Sequence, residues 1–145
     1  MSLLAIEGVG KEYSVRGKRV LALDSVDLHI TEGEFVTVVG PSGCGKSTLL
    51  NLIVGLIRSS SGQITFRGER IDGICTKIGY VTQKDNLLPW RTLAENVEIA
   101  LEIRGVDADA RRTQARDFIE RVGLGGFEED YPHELSGGMR QRANF

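Results

Sequence analysis

The chain has 145 residues, enough for one domain that buries about 68–70% of its unfolded surface, and its 41% hydrophobic and 26% charged residues are ordinary for a soluble globular protein. A formal net charge of -2 provides no bulk attraction to nucleic acid or to an anionic membrane, so any anion must be held locally. No apolar stretch approaches the ~18–20 residues that cross a bilayer, no basic leader opens the chain, and two cysteines without clustered histidines make neither a disulfide framework nor a zinc site, so a cytoplasmic protein is expected.

Residues 3–9, 18–23 and 26–30 alternate short apolar runs with turn signals and read as antiparallel strands. In the last of these Val26, Leu28 and Ile30 face the core and His29 the solvent. Tyr13 sits among polar neighbours and reads as an exposed loop residue. A turn at Thr31-Glu32-Gly33-Glu34 leads to the apolar run Phe35-Val36-Thr37-Val38-Val39, the pattern of a buried strand.

Gly40-Pro41-Ser42-Gly43-Cys44-Gly45-Lys46-Ser47 follows at once and fits G-x-x-x-x-G-K-[ST]. Polyphosphate is held best by several backbone N–H groups curled around it, which glycines allow because no Cβ intervenes. A helix beginning near Lys46 adds free N–H groups and its positive dipole end, Lys46 reaches the β- and γ-phosphates, and Ser47 can ligate Mg²⁺. Cys44 lies inside this loop, so alkylation of its thiol is expected to block nucleotide binding. The helix carries Leu49, Leu50, Ile53, Val54 and Ile57 on one face and stops at Arg58-Ser59-Ser60-Ser61-Gly62.

Strands are expected at 63–66 and 78–81, the second leading into Thr82-Gln83-Lys84-Asp85-Asn86, so that Gln83 hangs off a strand end, where α/β folds meet ligands. Thr92-Leu93-Ala94-Glu95 is a capping box opening a helix whose face is Leu93, Val97, Ala100 and Leu101. Asp107 caps the next helix, with Ala115, Phe118, Ile119 and Val122 on its face and Gly123 as its stop. Glu128-Glu129-Asp130 reads as a solvated acidic loop, His133 as a polar loop residue, and Arg140 and Arg142 as surface charge. Ser136-Gly137-Gly138 puts free N–H groups and a hydroxyl at another helix start, a second anion site built like the first.

A phosphate loop followed some ninety residues later by Leu135-Ser136-Gly137-Gly138-Met139-Arg140-Gln141-Arg142 resembles the nucleotide-binding subunit of ATP-binding cassette (ABC) transporters. The resemblance implies an α/β fold of the P-loop NTPase type: a mostly parallel sheet with helices, an antiparallel amino-terminal β part (1–33), a phosphate-loop core (34–85), and a helical part with the signature (86–138). It implies that Tyr13 stacks on adenine, that Gly40 to Thr48 hold the phosphates, and that Gln83 touches Mg²⁺ and the attacking water. Ser136, Gly137 and Gly138 then contact the γ-phosphate of ATP held by a second subunit, in a head-to-tail dimer. The segment Asn86-Leu87-Leu88-Pro89-Trp90-Arg91-Thr92-Leu93 is similar to importers of nitrate, sulfonate and taurine. It implies a transmembrane permease docked on the Gln83 to Trp90 region, a substrate-binding protein engaged indirectly, and a place on the inner face of the cell membrane. The segment reads otherwise as a proline turn with Trp90 as a core or subunit-contact aromatic.

In that family the signature helix is followed by an apolar strand ending in Asp-Glu and then a loop His, and residues 1–145 contain neither. His133 precedes the signature and cannot stand in. The resemblance therefore implies an incomplete core, an uncovered apolar sheet edge with weak stability, and a binding-only chain with scarcely any turnover; the complete form is the ATPase.

Overall fold

The computed structural model describes residues 2–82 and 84–145. The chain divides into two compact units, Met1–Tyr80 and Val81–Phe145, and each has its own apolar core.

The first unit is built on a long hairpin. Strands β1 (Ser2–Val15) and β2 (Lys18–Thr31) run antiparallel, and β3 (Ser61–Phe66) and β4 (Glu69–Arg70) extend the sheet in the order β2-β1-β3-β4. The two segments expected at 18–23 and 26–30 are therefore one strand, interrupted at Ser25, which adopts a positive φ of 44°. Tyr13 lies within β1, opposite Val20, and not in a loop. Helix α1 (Lys46–Ile53) packs Leu49 and Leu52 against Leu4, Ile6 and Val9 of β1 and Ile64 of β3. Leu52 takes the inner place expected of Leu50, which is exposed.

Two expected strands carry no ladder. The run 35–39 lies open, with Phe35 93% and Val39 83% exposed, and 78–81 is likewise irregular. A strand exists only through hydrogen bonds to a neighbour, and among the described residues no ladder pairs with either.

In the second unit, α2 (Leu93–Ile103) and α3 (Ala108–Arg121) pack against each other, with α4 (Gly137–Ala143) closing the chain. Leu93, Ile119, Leu124 and Leu135 form the core. The caps expected at Thr92 and Asp107 are present, and Thr92 makes a complete capping box with Glu95. The expected faces hold only in part. Phe118 is outside the core with the Arg121 guanidinium over its ring, and Ala100 is exposed while Asn96 is buried. Amphipathic spacing places side chains on a helix face but cannot tell which end of a broad face a neighbour covers.

Candidate functional site

The phosphate-type loop is seated on β2 and capped by its own lysine. Gly45 is the residue before α1 and adopts φ 100°, a conformation that L side chains rarely tolerate. A Cβ there would also stand 2.7 Å from the Ala22 carbonyl and 2.8 Å from a Leu23 methyl. The hairpin prepares this contact: pairing between β1 and β2 steps from Lys11 with Leu23 to Glu12 with Leu21, leaving Ala22 unpaired beneath the loop. Tyr13 continues the same stretch of β1, and the Lys11 ammonium lies 5.1 Å from its ring centre. The hairpin register thus brings the strand carrying Tyr13 to the base of the loop 40–47.

Lys46 curls back over the loop, its Nζ donating to the carbonyls of Gly40 and Pro41 at 2.8 Å each and lying 3.5 Å from Cys44 Sγ. The Cys44 amide donates to Pro41 O at 3.4 Å, which tightens the turn. Gly45 has no side chain to cap α1, and among the described residues the amides of Lys46, Ser47 and Thr48 find no acceptor; the first helical bond is Leu49 N–H to Gly45 O at 2.9 Å. Three consecutive amides, a helix dipole and an ammonium thus converge at an exposed surface, with the Ser47 side chain beside them. Such a cluster binds an oxyanion group by charge-assisted hydrogen bonds. Cys44 and Cys75 are both free thiols, Cys44 exposed.

In the second unit Ser136 caps α4, its Oγ accepting from Met139 N–H at 3.3 Å. The hydroxyl predicted at a helix start is in place, with Gly137 and Gly138 in the first turn. Neither glycine is demanded by internal packing: a Cβ on Gly138 would meet nothing within 4 Å, and one on Gly137 only Arg140 Nη2 at 3.9 Å. Leu135, just before, is buried and anchors this start. Of Arg140 and Arg142, expected as surface charge, Arg142 is exposed and Arg140 half-buried, and both also hold backbone carbonyls. Arg142 donates to the carbonyls of Val122 (2.8 Å) and Gly123 (3.1 Å) at the end of α3. Arg140 pairs with Asp85 at 3.0 Å and donates to Pro132 O and Leu135 O. Orphan carbonyls at helix and turn ends draw in guanidinium groups, a signal that spacing alone does not carry.

Gln83 lies outside the described residues. Trp90 is 70% exposed, which sets aside the core reading of it. Among the described residues no group of three or more His, Cys, Asp or Glu is placed to hold a metal ion. Of the acidic loop, Glu129 is exposed and Glu128 half-buried, and both Glu128 oxygens accept from Gly126 N–H at 3.1 and 3.0 Å. Backbone hydrogen bonds from its own amide and from Gly126 hold its carboxyl below the ordinary glutamate range. His133 stacks on Tyr131, ring centres 5.9 Å apart.

Residues 23–145 match the family model described as ABC transporter. The chain belongs to the ABC transporter family. It is 46% identical to the taurine import ATP-binding protein TauB of Yersinia pestis over 97% of its own length and 53% of that protein. To the aliphatic sulfonates import ATP-binding protein SsuB of Bacillus cereus it is 41% identical, over 96% of this chain and 54% of that one. The chain spans about half the length of the curated relatives it matches. The structure superposes with a TM-score of 0.87 on the ATP-binding cassette MJ0796, solved as a dimer in a post-hydrolysis state with ADP and Pi; identity is 33%, covering 97% of this chain and 66% of that one. The α/β cassette fold expected from the two glycine motifs is therefore the fold of this family, although the parallel strands at 35–39 and 78–81 are not formed here.

Proposed function

We propose that this chain supplies the nucleotide-gripping part of the ATP-binding subunit of an ABC importer for small anions of the taurine, sulfonate or nitrate kind. The observation that carries the reading is the start of α1, where free amides of Lys46, Ser47 and Thr48 and the Lys46 ammonium converge above a glycine that β2 holds at φ 100°. Gly40 to Thr48 then wrap the β- and γ-phosphates, and Tyr13 on the adjoining strand stacks on adenine. The residues fit a Mg²⁺–nucleotide, because a Cβ at Gly45 would press on Ala22 and Leu23 beneath the loop and one at Gly40 on the Cys44 thiol, so that only glycines let the backbone curl this tightly, and Ser47 offers an exposed hydroxyl. Mg²⁺, held by Ser47 and Gln83, neutralises phosphate charge when bound. Lys46 adds fixed positive charge beside the γ-phosphate, which favours the charge distribution of phosphoryl transfer.

Ser136, Gly137 and Gly138 complete the site of a second subunit in a head-to-tail dimer, the role their open surface supports, since no packing inside this chain requires glycine there. The permease of the membrane docks on the Gln83 to Trp90 region, and the assembly sits on the inner face of the cell membrane. Among the described residues no helix is long and apolar enough to cross a membrane. The support for the substrate class is the kinship to proteins named for taurine and aliphatic sulfonate import.

Titration with Mg²⁺–ATP tests the core of this reading. Lys46→Ala is expected to weaken binding about 10- to 100-fold, the worth of a charge-assisted hydrogen-bond pair, and an unchanged affinity would remove the assignment. In the complete protein, Ser136→Arg is expected to leave binding intact and abolish turnover. Binding at normal affinity without any turnover in the wild type would instead establish the binding-only reading.

A further inference from the structure

Asn96 is the polar residue buried in the second unit, 8% exposed, and its side chain is spent entirely on one loop. Its Oδ1 accepts from Leu88 N–H at 2.7 Å, and its Nδ2 donates to the carbonyls of Leu88 (3.2 Å), Arg91 (3.0 Å) and Thr92 (2.9 Å). The loop is itself a β-turn, closed by Arg91 N–H to Leu88 O at 3.1 Å, with Pro89 as its second residue and Trp90 as its third. Proline at that position fixes φ and lowers the entropy of forming the turn. Arg91 is held from the other side, its guanidinium paired with Glu102 at 2.7 Å. The result is a rigid turn whose tip carries a large aromatic side chain that the fold does not bury.

A buried amide satisfied four times is costly to arrange, and the apolar helix face beside it gains nothing from an asparagine. What the arrangement yields is a fixed direction for Trp90. We infer that Asn96 is a positioning residue: it pre-forms the Leu88–Arg91 turn so that Trp90 is presented as a fixed anchor for an apolar socket on a cytoplasmic segment of the permease. This rests on the permease contact assigned above to the same region. Tryptophan on a pre-ordered turn is the kind of residue that dominates association, since little freedom remains to be lost on binding.

Two measurements on the purified protein test it. In Asn96→Ala, hydrogen exchange at the Leu88 amide is expected to speed up about tenfold, the loss of one hydrogen bond, while the amides of 97–101 in α2 keep their protection. Unchanged protection at Leu88 overturns the inference. In the assembled transporter, Asn96→Ala and Trp90→Ala are each expected to weaken retention of the permease without altering ATP affinity, and the double variant to be no weaker than Trp90→Ala alone. Losses that multiply overturn it. Pro89→Gly loosens the turn from an exposed position, so folding is spared; it is expected to weaken retention in the wild type and to have no further effect once Trp90 is alanine. If the wild type itself does not hold a permease, the presentation role falls together with the proposed partner, whereas exchange at Leu88 still reports whether Asn96 fixes the turn.

Discussion

Helices α1 and α2 begin in opposite ways. At α2 every early amide is satisfied from within the chain: Leu93 N–H donates to Asp130 O at 2.8 Å, Ala94 N–H to Glu128 O at 2.9 Å, Glu95 N–H to Thr92 Oγ1 at 3.3 Å, and Asn96 N–H to Thr92 O at 3.0 Å. Glu95 returns the favour by accepting from Thr92 N–H at 2.9 Å. At α1 a glycine stands where Thr92 stands in α2, and the amides of Lys46, Ser47 and Thr48 face outward with the lysine ammonium above them. Helix starts carry orphan donors by construction. A sequence that spends capping side chains on them builds structure, and one that withholds them leaves a ready anion site.

The largest test of this contrast lies in the sealed helix. Leu93→Ala, at a position with 0% exposure, is expected to destabilise the second unit by about 2–5 kcal/mol, read by denaturant unfolding; a loss below 1 kcal/mol would mean that the capping contacts, and not this side chain, seat α2. In the open helix, Gly45→Ala forces a Cβ onto the Ala22 carbonyl at φ 100°. About 2–3 kcal/mol of strain is expected at the loop, and ATP affinity about 30- to 100-fold weaker; calorimetric titration showing normal affinity would break the picture of a cradle fixed from below. Thr92→Ala removes the capping box and is expected to cost about 1 kcal/mol of stability with ATP affinity untouched. Gly138→Ala, with open space around it, is expected to leave stability unchanged or raise it by up to about 1 kcal/mol while lowering turnover of the complete protein in its proposed dimer. A clear loss of stability there would show that the glycine serves this chain and not an approaching partner.

The smallest effect is on pH dependence. A hydrogen bond from the Arg91 guanidinium, and then its charge, hold the Glu102 carboxyl below the ordinary glutamate range. The unfolded chain therefore binds this proton more readily, so the contribution is complete above the unfolded value of about 4.3 and is lost as pH falls through the lower folded value. Glu102→Gln should lower the melting temperature slightly at neutral pH, and the difference from wild type should shrink and vanish as pH falls below the ordinary glutamate range. A difference that persists in acid would assign the effect to packing.

Most of what positions the candidate site was legible in the residues, for reasons that differ by region. The glycine loop and the Thr92 box are local codes, in which each residue type answers one backbone requirement, and both appear where they were read. The hairpin was legible as strands, but its continuity through Ser25 and the place of Tyr13 within β1 depend on cross-strand register, which alternation alone does not encode. The run 35–39 has the composition of a strand and no partner, because pairing is a property of two segments. Asn96 was missed because a lone polar residue at helical spacing looks solvent-facing, whereas its four acceptors and donors lie up to 8 residues back along the chain. A turn of the form Leu-Pro-Trp-Arg just before a capping box was the available signal. The partners of Arg140 and Arg142 were hidden for the same reason: all but Asp85 are backbone carbonyls, and carbonyls leave no trace in a sequence.

The bonds from Leu93 and Ala94 to the carbonyls of Asp130 and Glu128 join two stretches more than thirty residues apart using main-chain atoms alone. Such a staple places no demand on the side chains at 128–130, which are free to drift in evolution as long as the path of the chain is kept. On the other side it forbids only proline at 93 or 94, where a missing N–H would break one of the two bonds. Tolerance to substitution should therefore be high in the acidic loop and abruptly low at a neighbouring alanine that looks unremarkable in the sequence.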